Sequence, residues 1–287
     1  MQTTVETYDD AQTKLFRKEA LRARINAMTN VSTVPVVLKQ IMELTGNPNT
    51  DIHDLVAAIE RDQAIAMKVV AASNAAFYGF SKKVNTVSQA ILVLGFDMVK
   101  GLAITTTVFN SIPGSGKKRL LSLWAHSFEV AQAAILVSRK TGLIAPEPAF
   151  FAGLLHDLGY PVLFHACGEE TGTNPFGDNS IEDEVEAFGA SHSEAGAWFA
   201  ERFNLPEECA DAIRYHHNPE DSAKPEELAP LVAITYLANI AVTGRERAAL
   251  SPDHDAIMSS LKITDEELEA IAEEIRGQRE KTNSFYS

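Results

Sequence analysis

Apolar residues recur at spacings of three and four along nearly the whole chain, and capping residues punctuate them, which is the pattern of amphipathic helices. Leu15, Phe16, Leu21, Ile25 and Met28 predict a helix near the N-terminus. Pro35 opens a second over "PVVLKQIMEL", which Gly46 stops. Asp51 and Asp62 stand in cap positions before "IHDLVAAIE" and "QAIAMKVVAAS", and the run "NAAFYGF" then breaks the periodicity. Thr86 caps "VSQAILVL", and "FDMVKGLAITTTVF" begins directly after Gly95. A long helix over "RLLSLWAHSFEVAQAAILVSRK" ends at Gly142, and another starts near Pro148. Ser180 opens a short acidic helix, while Ser191 with Glu194 and Thr264 with Glu267 form capping boxes. Pro206 begins "PEECADAIRYHH", which Asn218-Pro219 ends before "LAPLVAITYLANIAV". No alternating β-branched run is long enough to compete, so the fold class is all-α.

The stretch "NSIPGSGKK", residues 110–118, carries Pro113, Gly114 and Gly116 in a polar setting and reads as a hinge. It divides an N-terminal helical subdomain, residues 31–112, from a helical bundle, residues 118–245. Residues 1–30 form an N-terminal helical extension, and residues 246–287 a C-terminal helix with a polar tail.

Composition narrows the function classes. The 287-residue chain has 25 basic and 39 acidic residues and a formal net charge of −14. That balance argues against non-specific nucleic-acid binding, which rests on neutralising phosphates. The most basic stretch, "KLFRKEALRARINAM", reads as the solvated face of the first helix. No apolar run approaches the roughly 18 residues that span a bilayer, and "MQTTVETYDD" lacks the features of a secretory signal. Cys167 and Cys209 have no metal or redox spacing. A reduced, cytoplasmic protein that binds no membrane is expected.

The candidate chemistry centres on "FAGLLHDLGYPVLFH", residues 151–165, where His156 and Asp157 sit in an apolar run. Burying both costs free energy unless each is satisfied; the partner is the other member of the pair, a backbone carbonyl or a metal ion. Pro161 lacks the N–H that would bond the Asp157 carbonyl, so the helix must end or bend beside the pair. Six of the eight histidines (126, 156, 165, 192, 216, 217) fall within residues 126–217. His126 shares a stripe with Leu123, Val130, Ala133 and Val137 and points into packing. His192 takes the first position of its helix, where the dipole disfavours a charged imidazole. His216 and His217 end theirs, where a cation would also suit the dipole. His165 reads as core, His53 and His254 as surface.

The order His126, His156-Asp157, His192, His216-His217 resembles the HD superfamily of metal-dependent phosphohydrolases. "STVPVVLKQIMELTGNPNTDIHDLVAAIERDQAIAMKVVAASNAAFYGF", "VNTVSQAILVLGFDMVKGLAI", "LWAHSFEVAQAAILVSR" and "FFAGLLHDLGYPVLF" resemble the HDOD family more closely, over about residues 31–245. The resemblance implies an all-helical HDOD fold, in which an N-terminal helical subdomain packs with an HD-like bundle. It implies a bacterial signal-transduction protein that acts by binding protein partners. It makes His126, His156, Asp157, His192, His216 and His217 the metal ligands, for one or two divalent ions of iron, manganese, nickel or zinc, the metals that imidazole and carboxylate suit.

The alternative implied by the superfamily is a phosphohydrolase acting on a nucleotide or phosphodiester. There Asp157 would bridge two ions, with His126 and His156 on one side and His192 and His216 or His217 on the other. Arg214 would neutralise a phosphate oxygen if it faces the site. Two departures weigh against catalysis. Asn239 stands at the best match to a later ligand aspartate, and Tyr160 stands where many hydrolases carry a phosphate-binding lysine. "GYP" at residues 159–161 follows the wrong histidine to be the motif of cyclic-dinucleotide phosphodiesterases.

Overall fold

Every described element of the computed structural model is helical, and there is no strand among the described residues. The structure describes residues 3–28, 40, 44, 51–74, 84–110, 117–167, 180–203, 205–222, 229–244 and 250–282. The helix expected from Pro35 to Gly46 (apart from residues 40 and 44), the "NAAFYGF" break after Asn74, and the hinge glycines 114 and 116 lie outside them.

The helices are α1 (Thr3–Ala27), α2 (Ile52–Glu60), α3 (Gln63–Ser73), α4 (Val87–Leu94) and α5 (Phe96–Asn110). Then come α6 (Lys117–Thr141), α7 (Pro146–Leu155), α8 (Gly159–Cys167), α9 (Ile181–Phe188), α10 (His192–Arg202) and α11 (Glu207–Tyr215). After a 3-10 turn, Pro219–Asp221, follow α12 (Pro230–Thr243), α13 (His254–Leu261) and α14 (Asp265–Thr282). The caps sit where the sequence places them. Asp51, Thr86, Ser180 and Ser191 accept from the first-turn amides of α2, α4, α9 and α10. Thr264 and Glu267 close their box at the start of α14, at 3.3 and 3.0 Å. Gly95 and Gly142, at φ 89° and 66°, end α4 and α6 in a backbone region that only glycine enters freely.

Helix α6 lies at the centre, packed on α7 and α12, while α10 packs on α8 and α11 and α5 packs on α7. One apolar core runs from α1–α5 into α6, α7, α8, α10 and α11, and a second fills the space between α6, α7, α12, α13 and α14. Glycine sets the closest approach. A Cβ on Gly153 would stand 2.8 Å from Ala131 Cα, so α7 presses directly against the backbone of α6.

The N-terminal helix departs from its sequence pattern. Leu21 and Ile25 are buried where α1 rests on α8, α9 and α10, but Leu15 and Phe16 are 57% and 73% exposed. Its basic residues are more than a solvated face: Arg17 donates to the Glu186 carbonyl, Lys18 pairs with Glu194, Arg22 lies over Trp198 and Arg24 donates to the Ala166 carbonyl.

Because the α6–α7 contact is backbone against backbone, Gly153→Val is expected to cost about 1–3 kcal/mol of stability. Urea denaturation checks this, and an unchanged midpoint would contradict the packing described.

Candidate metal centre

The site is built where α7 stops. With no N–H on Pro161, the Asp157 carbonyl accepts instead from Tyr160 N at 3.2 Å, and His156–Leu158 form a turn between α7 and α8. The turn aims neighbouring side chains, His156 and Asp157, at one point. Gly159 then opens α8 in contact with the start of α10. A Cβ there would fall 1.6 Å from the His192 carbonyl oxygen. Gly196 of α10 continues the contact, its hypothetical Cβ 2.8 Å from Ile213 and 2.9 Å from Gly159 N. Two glycines thus bring Asp157, His192 and His216 into one pocket.

All six expected residues meet there. Asp157 Oδ2 lies 3.2 Å from His156 Nε2 and 3.5 Å from His126 Nε2. Asp157 Oδ1 lies 3.5 Å from both His192 Nε2 and His216 Nε2. His217 Nε2 is 3.0 Å from His192 Nε2, and His216 Nε2 is 3.4 Å from the same atom. The atoms that could ligate a metal form two groups that share Asp157: His126 with His156, and His192 with His216 and His217. His156, Asp157, His192 and His216 are buried, whereas His126 and His217 are partly exposed and mark the solvent side.

The far side of each ring fixes what the near side presents. His156 Nδ1 lies 2.8 Å from the Gly153 carbonyl and His216 Nδ1 2.8 Å from the Ile213 carbonyl. A carbonyl only accepts, so both Nδ1 atoms carry the proton. His192 Nδ1 lies 2.8 Å from Glu184, whose other contact is the His192 backbone N–H, also at 2.8 Å. In the neutral rings all three Nε2 atoms therefore present lone pairs, and they present them to a carboxylate and to one another. His156 Nε2 has no hydrogen bond of acceptable geometry although Asp157 is 3.2 Å away. Of the three partners open to the His-Asp pair, the carbonyl takes Nδ1, and the remaining lone pairs are disposed for a cation.

Electrostatics agree. Burial pushes the His216 imidazole down to about 4, partly offset by the neighbouring Asp157 carboxylate, which favours the charged ring. Burial alone would raise the Asp157 carboxyl, but the neighbouring imidazoles of His156, His216 and His192 outweigh it and hold the group well below the usual carboxylate range.

Glu184 escapes a reading by motif. It is 1% exposed, and it orients His192 as a carboxylate behind a metal-ligating imidazole does. The available signal is its position on α9, one turn from Ile181 and Phe188 on the apolar stripe, where a carboxylate is out of place unless paired. Tyr160 stacks on His192, ring centroids 4.1 Å apart and planes within 14°. Arg214, expected to meet a phosphate, pairs with Glu201 instead. Asn239 is buried on α12, which packs on α6, α7 and α11, and its Oδ1 has no hydrogen-bond partner among the described residues.

Of the other histidines, His53 is exposed as expected and His165 is half-buried, its pKa lowered by burial. His254 is not a surface residue. It is 6% exposed, with Nδ1 3.0 Å from the Tyr236 hydroxyl, because α13 folds back on α12.

The neutral His216 gives a pH dependence. Its pKa is below the unfolded value of 6.5, so its contribution is complete above pH 6.5 and is lost as pH falls toward about 4. Asp157, also lowered, adds a loss in the same direction below its ordinary value of 3.8. The thermal midpoint of metal-free protein is expected to fall steadily from pH 6.5 to pH 4; a flat profile across that window would contradict the buried neutral imidazole.

Known proteins share this architecture. The solved structures that resemble the chain include an HDOD domain protein of unknown function from Geobacter sulfurreducens, at TM-score 0.60 and 24% identity, covering 93% of this chain and 97% of that one. A protein from Shewanella amazonensis SB2B with the provisional name phosphohydrolase matches at TM-score 0.66 and 19% identity, over 93% and 98% of the two chains. Both likenesses establish the fold. Among curated proteins, an uncharacterised protein of Treponema pallidum is 28% identical over 226 residues, 74% of this chain and 42% of its own length. A Ribonuclease Y of Thermus thermophilus is 36% identical over 126 residues, 44% of this chain and 17% of its own. The chain therefore spans less than half the length of either. The HDOD domain model matches residues 31–219, which takes in all six clustered residues and most of the chain: the protein belongs to the HDOD family.

Proposed function

We propose that this chain is a regulatory protein of the signal-transduction type, acting through protein partners, whose HD-like bundle holds one or two divalent transition-metal ions. The observation that carries the metal centre is the convergence of Nε2 lone pairs from His156, His192 and His216 on the two oxygens of Asp157, with every Nδ1 engaged on the far side. Imidazole nitrogen with carboxylate oxygen is the donor set of iron, manganese, nickel and zinc. His126, His156 and Asp157 Oδ2 would hold one ion, and His192, His216, His217 and Asp157 Oδ1 the other. A bound ion supplies folding free energy and Lewis acidity.

The chain's own residues favour regulation over turnover. Tyr160 covers one face of His192, Arg214 is engaged by Glu201, and an amide stands at Asn239 where a charged ligand is expected. No described helix is long and apolar enough to cross a membrane. The second reading, metal-dependent hydrolysis of a phosphodiester or nucleotide, draws its support from the 36% identity to Ribonuclease Y over 126 residues and from the bridging position of Asp157.

Elemental analysis of purified protein is expected to find about one or two equivalents of a transition metal, falling below about a tenth in His156→Ala and Asp157→Ala. Loss of metal should also lower the thermal midpoint, because an ion that binds only the folded chain adds to its stability. A screen of cyclic dinucleotides, nucleoside phosphates and an aryl phosphodiester should give no turnover from the metal-loaded protein. Turnover that Asp157→Ala abolishes would replace the first reading by the second.

A further inference from the structure

A helix outside the family match, at the N-terminal end, leans on the part of the site that sequence motifs miss. Helix α1 precedes residue 31, yet its backbone lies directly on the turn between α9 and α10. Gly189, which ends α9 at φ 92°, has no room for a Cβ because Arg17 C would stand 2.7 Å away and Lys18 N 2.9 Å. Arg17 Nη1 donates to the Glu186 carbonyl of α9 at 3.0 Å. Lys18 Nζ meets Glu194 Oε1 of α10 at 2.5 Å, while Glu194 Oε2 accepts from Ser191 N. One helix thus holds both sides of a turn.

That turn carries the ligand geometry. Glu184 sits on α9 just before it and His192 opens α10 just after it, and the two are joined by hydrogen bonds from both the backbone and the ring of His192. If α9 moves relative to α10, Glu184 leaves His192 Nδ1, the tautomer is no longer fixed and the ring is free to turn. Leu21 and Ile25 are the only fully buried apolar residues of α1 among the residues described, and the side-chain contacts it makes at the turn are polar.

We propose that α1 is a positioning strap for the metal centre: docked through Arg17 and Lys18 it fixes the Glu184–His192 pair, and its release weakens metal binding while the bundle stays folded. The proposal rests on the metal-centre reading above, and its test separates the two.

The variants are Arg17→Ala/Lys18→Glu, which breaks the dock at two solvent-facing side chains, and Lys18→Arg, which retains the charge. Three quantities are read on each full-length chain: amide hydrogen exchange of residues 184–194, the slowly exchanging Nδ1–H signal of His192 in metal-free protein, and affinity for manganese and zinc. The double variant is expected to exchange faster in that segment, to lose the Nδ1–H signal and to bind metal about ten-fold more weakly, the usual cost of disturbing a partner behind a ligating histidine. Lys18→Arg should match the parent chain. Salt at about 1 M, which shortens screening to about 3 Å, should reproduce the effect in the parent chain and guards against a misfolded variant. Unchanged exchange and an unchanged Nδ1–H signal overturn the strap, and so does faster exchange with unaltered metal affinity. If the parent chain binds no metal, the metal-centre reading falls and the metal-affinity part of the strap with it, while the Nδ1–H signal still decides whether α1 positions His192.

Discussion

Everything at the centre of this molecule turns on one constraint: a buried carboxylate and several buried imidazoles occupy one pocket with their lone pairs facing. Such an arrangement is costly in a low-dielectric interior unless protons or a cation fill it. Protons are the poorer solution. The Nδ1 positions are already engaged by the carbonyls of Gly153 and Ile213 and by Glu184, and burial drives His216 toward the neutral form. A second proton on each ring would gather several positive charges beside one aspartate. A divalent ion shared between nitrogen and oxygen donors meets the same geometry at lower cost.

The fold is arranged around that pocket. A proline four residues after Asp157 breaks the helix so that adjacent residues aim at one point, and glycines at 153, 159 and 196 let α6, α7, α8, α10 and α11 approach closely enough for histidines far apart in sequence to meet Asp157. The additions at either end brace this arrangement. Tyr236 of α12 accepts from Ser251 N and faces His254, while Ser251 Oγ donates to Glu220, immediately beyond the His216-His217 pair. At the other end α1 rests on the turn that carries His192.

What the sequence makes legible is what short-range physics decides. Caps such as Thr86 and the Ser191–Glu194 box, the glycine stops and the Pro161 break depend on a few neighbouring residues and can be placed without a fold. The family resemblance extends this to the six clustered residues, since their order and spacing carry the topology. Glu184 is not legible because its role depends on a partner eight residues away across a turn, and a glutamate on a short acidic helix looks solvated until its face is known. His254 reads as surface because a polar residue beside Asp253 and Asp255 gives no hint of the Tyr236 hydroxyl that meets it. Phe16 fails the other way: helical spacing marks which residues share a face, not whether a neighbour arrives to cover it.

The most direct measurement is anomalous X-ray diffraction from crystals of the purified protein, collected on either side of the absorption edge of the metal found in it. The account predicts anomalous density bounded by Asp157 and the Nε2 atoms of His192, His216 and His217, with a second peak toward His126 and His156 where two ions are held. A pocket without anomalous signal, with water bridging the same nitrogens to Asp157, would contradict it.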